Sequence, residues 1–147
     1  MMTSPEIRTL TATETDEMLG AHEVGRIAYS FRDRVDIEPI SYAYAKGWIF
    51  VRTSMGTKLS QLAHHPWCAF EVDEVRGQFD WTSVVVHGSL TLLDPEVNAD
   101  TYALALELLR DLVPETFTSS DPTPQRSILI GIHVDEVTGR TAVPRAA

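Results

Sequence analysis

The segment FVRTSMGTKLSQLAHHPWCAFEV, residues 50–72, joins two apolar runs through a polar loop and a short helical pattern. The apolar runs at its ends have the composition of β-strands. Leu59 and Leu62 are spaced to place one face of the helix inward. The helix is predicted to stop before Pro66, because proline disfavours helical backbone in the residue before it. The segment therefore predicts strand, loop, helix and strand.

Hydroxyl donors and positive charges concentrate where the first strand ends and the helix begins: Arg52, Thr53, Ser54, Thr57 and Lys58. Gly56 allows the backbone to approach a ligand closely, and the first turn of a helix presents unpaired N–H groups and the positive end of its dipole. This combination is typical of a phosphate site. An alternative reading, in which Thr57 caps the helix and Lys58 is solvated, stays open.

The remaining sequence predicts six strands with helices only at the edges. The other predicted strands and their hairpins lie in residues 24–31, 35–54, 67–75, 79–94 and 127–139. A first helix is indicated by the capping-box pair Thr11 and Glu14, and residues 98–115 predict one long, well-packed helix. Consecutive hairpins without βαβ alternation favour an antiparallel barrel.

Three residues mark irregular positions in these strands. Pro39 cannot donate a ladder hydrogen bond, so it predicts a sheet edge or a bulge with free backbone groups beside it. Lys46-Gly47 is a turn signal. Gly88, in the middle of a long strand, predicts a bend of the kind that barrel strands need.

Composition limits the classes of function. The 147 residues fit a single domain covering positions 1–147. The net charge of −9, from 12 basic and 21 acidic residues, argues against nucleic acid as a partner. The chain has one cysteine, no apolar leader at its start and no run long enough to span a bilayer, so we expect no membrane partner and a cytoplasmic location.

The ordered motifs of residues 37–93 resemble a known family. P-x-x-Y is followed by G-x-I-F-V-x-T, then G-x-K-L-x-x-L-x-x-x-P, C-A-F-E-V-D and W-T-S-V-V-V-x-G. This order is similar to that of the small bacterial FMN-binding proteins related to pyridoxamine 5′-phosphate oxidase. The resemblance extends over about residues 10–141. It implies a six-stranded antiparallel split barrel with a few peripheral helices, binding FMN at a homodimer interface.

The resemblance also implies roles for individual residues. The edge of the isoalloxazine ring would lie along Pro39, Ile40 and Ser41. The phosphate and ribityl chain would be held by Arg52, Thr53, Ser54, Thr57 and Lys58. The second subunit would reach the flavin with Trp81, Thr82 and Ser83. The function implied is that of an oxidoreductase acting on a small-molecule redox substrate.

Departures from the family pattern leave the substrate open. Many relatives have histidine where this chain has Arg52, so the nitroimidazole-resistance activity is not assigned. Thr57 stands where the parent oxidase has a second basic residue. The oxidase's substrate-binding C-terminal segment is not recognisable after Arg140, so pyridoxamine phosphate is not expected to be the substrate.

Other readings of the sequence remain. The same barrel could bind a deazaflavin, although basic residues are few, or haem, if His64, His65 or His87 faced the ligand. A non-catalytic flavin-binding or sensing protein is a further alternative, because no catalytic acid or base is identified. The HHPWC segment does not predict a metal site, since adjacent histidines point in different directions. Its Cys68 alternates with apolar residues and is expected in the core.

Overall fold

The computed structural model describes residues 4–45 and 47–145, without the side chains of Thr57, Lys58, Gln61 and Ala63. Its strands are β1 (Glu6–Thr9), β2 (Val24–Phe31), β3 (Arg34–Ser41), β4 (Ala43–Ala45), β5 (Trp48–Thr53), β6 (Trp67–Gly77), β7 (Asp80–Leu92) and β8 (Ile128–Val143). Its helices are α1 (Ala12–Ala21), α2 (Thr57–His64) and α3 (Ala99–Leu112). The strand–loop–helix–strand prediction for residues 50–72 is confirmed.

The strands form one antiparallel sheet that curves back on itself. Hydrogen-bonded neighbours run in the order β3-β2-β6-β7-β8-β5-β4, and β1 adds to β8. The two ends of this order, β3 and β4, follow each other in the chain, and β3 lies close to β5. The sheet therefore nearly closes but keeps a seam between its two edges. This is the predicted split barrel, with Pro39 on an edge strand as expected.

The number of strands differs from the prediction. The sequence predicts six, whereas the described residues form eight. The predicted strand from 35 to 45 is broken at Tyr42, whose N–H donates to the Glu23 carbonyl at 2.9 Å instead of to a ladder partner. The strand β1 has no apolar alternation to reveal it, because all four of its residues are exposed.

The core lies inside the barrel and is built by alternate residues of the strands. Its fully buried members include Ile27, Ile49, Val51, Phe70, Val72, Val84, Val86, Ile130 and Ile132. Cys68 belongs to the same cluster, as the sequence predicts. Burial of each large apolar side chain contributes about 1.5–3 kcal/mol. Every second residue along these strands thus faces the core, which is the period of two seen in the sequence.

Two backbone features shape the barrel. At Gly88 the pairing of β7 with β8 shifts register, and a Cβ there would lie 2.1 Å from the His133 carbonyl oxygen. Only glycine allows this close approach, so the predicted bend at Gly88 is confirmed. The β2–β3 hairpin turns at Arg32 and Asp33, whose φ angles are 49° and 63°. Two consecutive positive φ angles are typical of the type I′ turn that matches strand twist.

The long helix α3 is only partly buried, in contrast to the close packing expected from its composition. Ala105 and Leu109 are buried against β4 and β5, whereas Leu104 and Leu112 remain exposed. The capping box predicted for α1 is confirmed, with Thr11 and Glu14 exchanging both hydrogen bonds. No helix within residues 4–45 and 47–145 has the length and apolar character needed to cross a membrane.

Candidate functional site

A cleft of about 440 Å³ opens at the seam of the barrel, where β3 faces the end of β5. It is lined by Val24, Glu38, Pro39, Ile40, Ser41, Arg52, Thr53, Ser54, Met55, Gly56 and Arg126. Six of the residues predicted from the sequence are in this lining, although they come from two separate segments: Pro39, Ile40, Ser41, Arg52, Thr53 and Ser54. The structure therefore brings the two predicted halves of the site together.

One wall of the cleft is the free edge of the sheet. In the described part of the chain β3 pairs only with β2, so its other side presents unpaired backbone groups. Pro39 and Ser41 are exposed there, and Ile40 is half-buried. Glu38 is on the same wall and is the one carboxylate in the lining. This wall offers backbone hydrogen bonds and an apolar surface to a flat ligand.

The opposite wall is the loop that leads into α2. The first helical hydrogen bond runs from the Ser60 N–H to the Gly56 carbonyl at 3.2 Å, so the N–H groups before it have no acceptor within the helix. A Cβ on Gly56 would meet no atom within 4 Å, which leaves open space beside this backbone. Ser54 is exposed and Thr53 is half-buried beside it. The wall fits an anionic group.

The predicted contacts of Thr57 and Lys58 lie outside the described side chains. Their backbone forms the first turn of α2, which begins at the rim of the cleft. Their assignment to a phosphate therefore stays a prediction.

Arg52 is held by a hydrogen-bond network that the sequence does not reveal. Its Nη2 and Nη1 donate to the two carboxylate oxygens of Asp121 at 2.6 and 3.3 Å. They also donate to the carbonyl and hydroxyl oxygens of Thr123 at 3.1 and 3.3 Å, and Nε donates to the Arg126 carbonyl at 3.1 Å. These contacts use all five N–H donors of the guanidinium. A phosphate could bind this side chain only by displacing an acceptor.

The Arg52–Asp121 pair fixes the loop between α3 and β8. The two side chains are 10% and 2% exposed. Asp121 also accepts the N–H groups of Phe117 and Thr123 at 2.8 and 2.9 Å. Phe117 has a φ of 58°, and its ring lies 4.6 Å from the guanidinium of Arg52. Left-handed backbone at a bulky residue is strained, and this network stabilises it.

The charge state of Asp121 follows from its partners. Burial by itself raises the pKa of Asp121, but the hydrogen bonds from Arg52, Thr123 and Phe117 and the charge of Arg52 lower it further. The net result is a pKa of about 2, so the carboxylate is ionised at neutral pH. Arg52 and Asp121 therefore form an ion pair in which each charge is neutralised by the other.

Arg126 is a site residue that sequence reasoning missed. Its backbone carbonyl is held by Arg52, but its side chain is exposed and has no hydrogen bond or ion pair among the described residues. Both the cleft and a neighbouring cavity include it in their linings. It follows a loop without periodic pattern, so nothing in the sequence indicates its position. It supplies a free positive charge at the cleft.

A second cavity of about 290 Å³, here called the side cavity, adjoins the cleft between β2, α3 and the loop before β8. It shares Val24, Ser41, Arg52 and Arg126 with the cleft. Its other lining residues are Glu23, Tyr42, Leu109, Leu112, Val113, Thr116, Pro122 and Thr123. The two cavities are therefore neighbours across a common wall.

Trp81, Thr82 and Ser83 line neither the cleft nor the side cavity of their own chain. They begin β7, where all three are half-buried. Ser83 donates to Glu71 at 3.3 Å, and burial together with Asp73 raises the pKa of Glu71. The predicted contact of these residues with a ligand thus needs a second subunit and stays a prediction.

The remaining candidate residues lie elsewhere. Cys68 is buried, and burial raises the pKa of its thiol to about 11, which does not suit a nucleophile. His64, His65 and His87 are exposed and line neither the cleft nor the side cavity. Among the described residues no group of three or more His, Cys, Asp or Glu side chains could hold a metal ion.

Comparisons with known proteins cover nearly the whole chain. Residues 11–141 match the family model described as pyridoxamine 5′-phosphate oxidase. An uncharacterized protein of Rhizobium meliloti (strain 1021) is 24% identical over 144 residues, which cover 92% of this chain and 95% of the relative.

Two solved structures are also similar. A FAD-binding protein from Mesorhizobium loti is 26% identical with a TM-score of 0.73, covering 91% of this chain and 96% of that one. A FAD-binding protein from Mycobacterium smegmatis is 24% identical with a TM-score of 0.64, covering 91% of this chain and 98% of that one. The matched segment of the family model contains every residue of the cleft.

Proposed function

Because the chain belongs to the pyridoxamine 5′-phosphate oxidase family, we propose that it is a flavin-dependent oxidoreductase that binds the FMN portion of its cofactor in the cleft. The observation that carries this proposal is the meeting of two unlike walls at the seam of the barrel. One is a free sheet edge at Pro39–Ser41, and the other is a hydroxyl-bearing loop at the start of α2. The name of the Mesorhizobium loti relative supports a flavin as the ligand.

Each wall suits one end of FMN. The edge of β3 offers backbone groups to the polar rim of the isoalloxazine ring. Thr53, Ser54 and the first turn of α2 would hold the phosphate, with Lys58 as its counter-charge. The open space at Gly56 leaves room for that phosphate. Arg52 would contribute indirectly, because its hydrogen bonds hold the Thr123–Arg126 segment in place.

The bound flavin would supply the electron or hydride transfer, and the chain's own residues would bind and orient it. Within the described lining of the cleft, Glu38 is the one carboxylate, and no histidine or cysteine is present. The proposal therefore assigns no side chain as acid or base. The substrate is a small redox-active molecule.

A homodimer completes the proposed site. Val84 and Val86 face the core, so Ser83 and Val85 face outward on the same strand. Exposed apolar residues share this outer face on neighbouring strands, including Val35, Ile37 and Trp67. We take these exposed apolar side chains as the basis of an interface on this face, which also has the charged side chains of Arg26 and Glu71. A second copy on this face would bring its Trp81, Thr82 and Ser83 toward the cleft.

Haem has less support than a flavin. An axial ligand would have to come from the side chains that border the site, and the described linings of the cleft and the side cavity contain no histidine.

The experiment that tests the proposal is a visible absorption spectrum of the purified protein, with mass spectrometry of any released ligand and sedimentation analysis of the apo and loaded forms. A flavin spectrum and a dimer are expected.

The Lys58→Ala variant is expected to bind FMN at least about tenfold more weakly, because a charge-assisted contact to phosphate is lost. Arg34→Ala, which removes an exposed cation at the β2–β3 turn, is the matched control. Full flavin occupancy in Lys58→Ala would remove the phosphate assignment.

A further inference from the structure

The side cavity brings together apolar side chains that the fold leaves uncovered. Val24, Leu112 and Val113 are 55%, 40% and 37% exposed, and they come from β2 and from the end of α3. With Leu109 and Pro122 they line one space of about 290 Å³, at the lower end of the usual range for small-molecule sites, which is about 300–1,000 Å³. An apolar body of one ring with a short chain suits this space, because it would remove these side chains from water.

The walls of the side cavity are held in place without a ligand. Arg110 on α3 donates to the Thr116 carbonyl at 3.0 Å, and the Thr116 hydroxyl donates to the Val113 carbonyl at 2.6 Å. The loop that follows is fixed by the pair of Arg52 and Asp121. A cavity formed in this way loses little conformational entropy when a ligand enters it.

The charged residues in the lining of the side cavity are Arg52, Arg126 and Glu23. Asp121, the partner of Arg52, has a side chain that is only 2% exposed and is not in the lining. The pair therefore borders the cavity with its guanidinium. Arg126 adds a second positive charge, and its side chain has no hydrogen bond or ion pair with a described residue. In a chain of net charge −9 this lining is locally positive, which favours an anion.

The donors that an anion could use lie where the side cavity meets the cleft. Arg126 and Ser41 line both spaces, and both are exposed. Arginine binds a carboxylate through two parallel N–H donors, and a serine hydroxyl can add a third hydrogen bond. Glu23 lines the side cavity but not the cleft, and it would repel a second negative charge. A monoanion therefore fits better than a dianion.

We propose that the side cavity is the substrate site, and that the substrate is a small apolar carboxylic acid bound as its monoanion. This inference rests on the proposed function, because the flavin ring along Pro39–Ser41 is what would make a ligand beside Ser41 a substrate. The apolar body lies against Leu109 and Leu112, and the carboxylate accepts hydrogen bonds from Arg126 and Ser41. The carboxylate end of the molecule is therefore the end nearest the cleft.

The test measures the binding of phenylacetate to the full-length chain by isothermal titration calorimetry, without flavin and with flavin bound. The visible spectrum of the flavin-loaded form is recorded in the same titration. Phenylacetamide and 2-phenylethylamine are the matched probes, since they keep the ring but are neutral and positively charged. We expect phenylacetate to bind at least about tenfold more tightly than either, because the carboxylate alone gains charge-assisted hydrogen bonds. It should also shift the absorption bands of the flavin.

The outcomes separate this inference from the proposed function. Equal binding of phenylacetate and phenylacetamide, or tighter binding of 2-phenylethylamine, would overturn the anion site. A flavin-loaded chain that binds none of the three probes would overturn the inference and leave the proposed function intact. Binding without a change in the flavin spectrum would overturn the role of the acid as substrate. Selective binding of phenylacetate by a chain that takes up no flavin would overturn the proposed function, and the substrate role with it.

A pair of variants locates the site. Leu112→Trp narrows the side cavity, whereas Leu104→Trp places the same ring on the same helix at a position that lines neither the cleft nor the side cavity. Leu104 is 38% exposed, close to the value for Leu112, so both variants are expected to fold, and melting temperatures check this. Leu112→Trp should weaken phenylacetate binding at least about tenfold. Leu104→Trp should leave it unchanged. Unchanged binding in Leu112→Trp would overturn the assignment of the side cavity.

Should Leu112→Trp fail to fold, Arg126→Met provides the second route. It removes the exposed charge without filling the cavity, so the preference for phenylacetate over phenylacetamide should disappear. Arg34→Met, at the β2–β3 turn, is the matched control and should keep that preference. A preference that survives in Arg126→Met would contradict a carboxylate contact at this residue.

Discussion

Two arginines border the same two cavities but are in opposite situations. Arg52 is nearly buried and donates all its N–H groups to Asp121, Thr123 and the Arg126 carbonyl. Arg126 is exposed, and its side chain has no hydrogen bond or ion pair with a described residue. The difference shows that a positive charge beside a cleft does not by itself make a ligand contact. The availability of its donors decides the role.

The contrast separates two kinds of residue in the site. The side chain of Arg52 stabilises the protein and fixes the loop before β8. The N–H donors of the Arg126 side chain are available to a ligand. Variants at the first should therefore change stability, and variants at the second should change affinity.

The largest effect is expected for Arg52→Met. This change leaves the carboxylate of Asp121 buried without its counter-charge, which is one of the most destabilising single changes in a protein. We expect the melting temperature to fall on the order of 10 °C. Differential scanning calorimetry of the flavin-free protein measures it.

The matched control is Arg34→Met, which removes an exposed arginine that pairs with Asp36 at 3.3 Å. Exposed pairs contribute little, so its melting temperature should change by no more than about 3 °C. Similar losses in both variants would mean that the Arg52 network does not stabilise the fold.

The next effect concerns pH. The pKa of Asp121 is about 2 in the folded chain and about 4 in an unfolded one, so its contribution to stability is complete above pH 4 and is lost as the pH falls toward 2. Asp121→Asn lacks this contribution at every pH. The melting temperature of the wild type should therefore exceed that of the variant at pH 7, and the gap should narrow between about pH 4 and pH 2.

Glu14 is the control for this titration. Hydrogen bonds from Arg8 and Thr11 lower its pKa to about 2 as well, but its pair with Arg8 is exposed to solvent. Glu14→Gln should therefore show a much smaller gap at pH 7 than Asp121→Asn. A gap for Asp121→Asn that stays constant from pH 7 to pH 2 would exclude the ionised pair.

A smaller effect, on affinity alone, is expected at Arg126. Arg126→Met removes the free positive charge at the cleft. Because we propose that Lys58 and the first turn of α2 hold the FMN phosphate, the loss of FMN affinity should be only about threefold, the size expected of an exposed charge interaction. The melting temperature without ligand should stay within about 2 °C of the wild type, since the side chain has no described partner. Titration of the flavin-free protein with FMN gives the affinity. A large loss of stability would show that Arg126 resembles Arg52 after all.

The same contrast explains what the sequence could predict. Pro39 and Gly88 were predicted to be edge and bend because proline lacks a donor and glycine lacks a side chain, which are properties of single residues. Pro39–Ser41 and Arg52–Ser54 were placed in one site through the ordered motifs of the family. These signals come from single residues or from the order of motifs along the chain. In the structure the two segments line the same cleft.

The Arg52–Asp121 network was not predicted because its partners are 69 residues apart and lie in different elements. The segment from Pro114 to Gln125 is predicted to be an irregular loop. Neither Asp121 within it nor Arg126 directly after it belongs to a repeating pattern. The break at Tyr42 was missed for a similar reason, since alternation continues through it. Contacts that depend on how distant segments pack leave no mark on nearby sequence.

The smallest effect is expected for Thr123→Val, which removes one acceptor from the hydrogen-bond network of Arg52. The Thr123 hydroxyl accepts a hydrogen bond from Nη1 of Arg52 at 3.3 Å and lies in the lining of the side cavity, not of the cleft. Thr123→Val removes this acceptor and keeps the shape of the side chain, so the loss is about 0.5–1.5 kcal/mol, or a few degrees in melting temperature.

The freed N–H of Arg52 would then face the side cavity. FMN affinity should stay within about twofold, because Thr123 does not line the cleft in which we propose that FMN binds. Calorimetry and flavin titration of the one variant measure both effects. A change in FMN affinity of about tenfold or more would mean that the donors of Arg52 already serve the cleft, and the distinction between the two arginines would not hold.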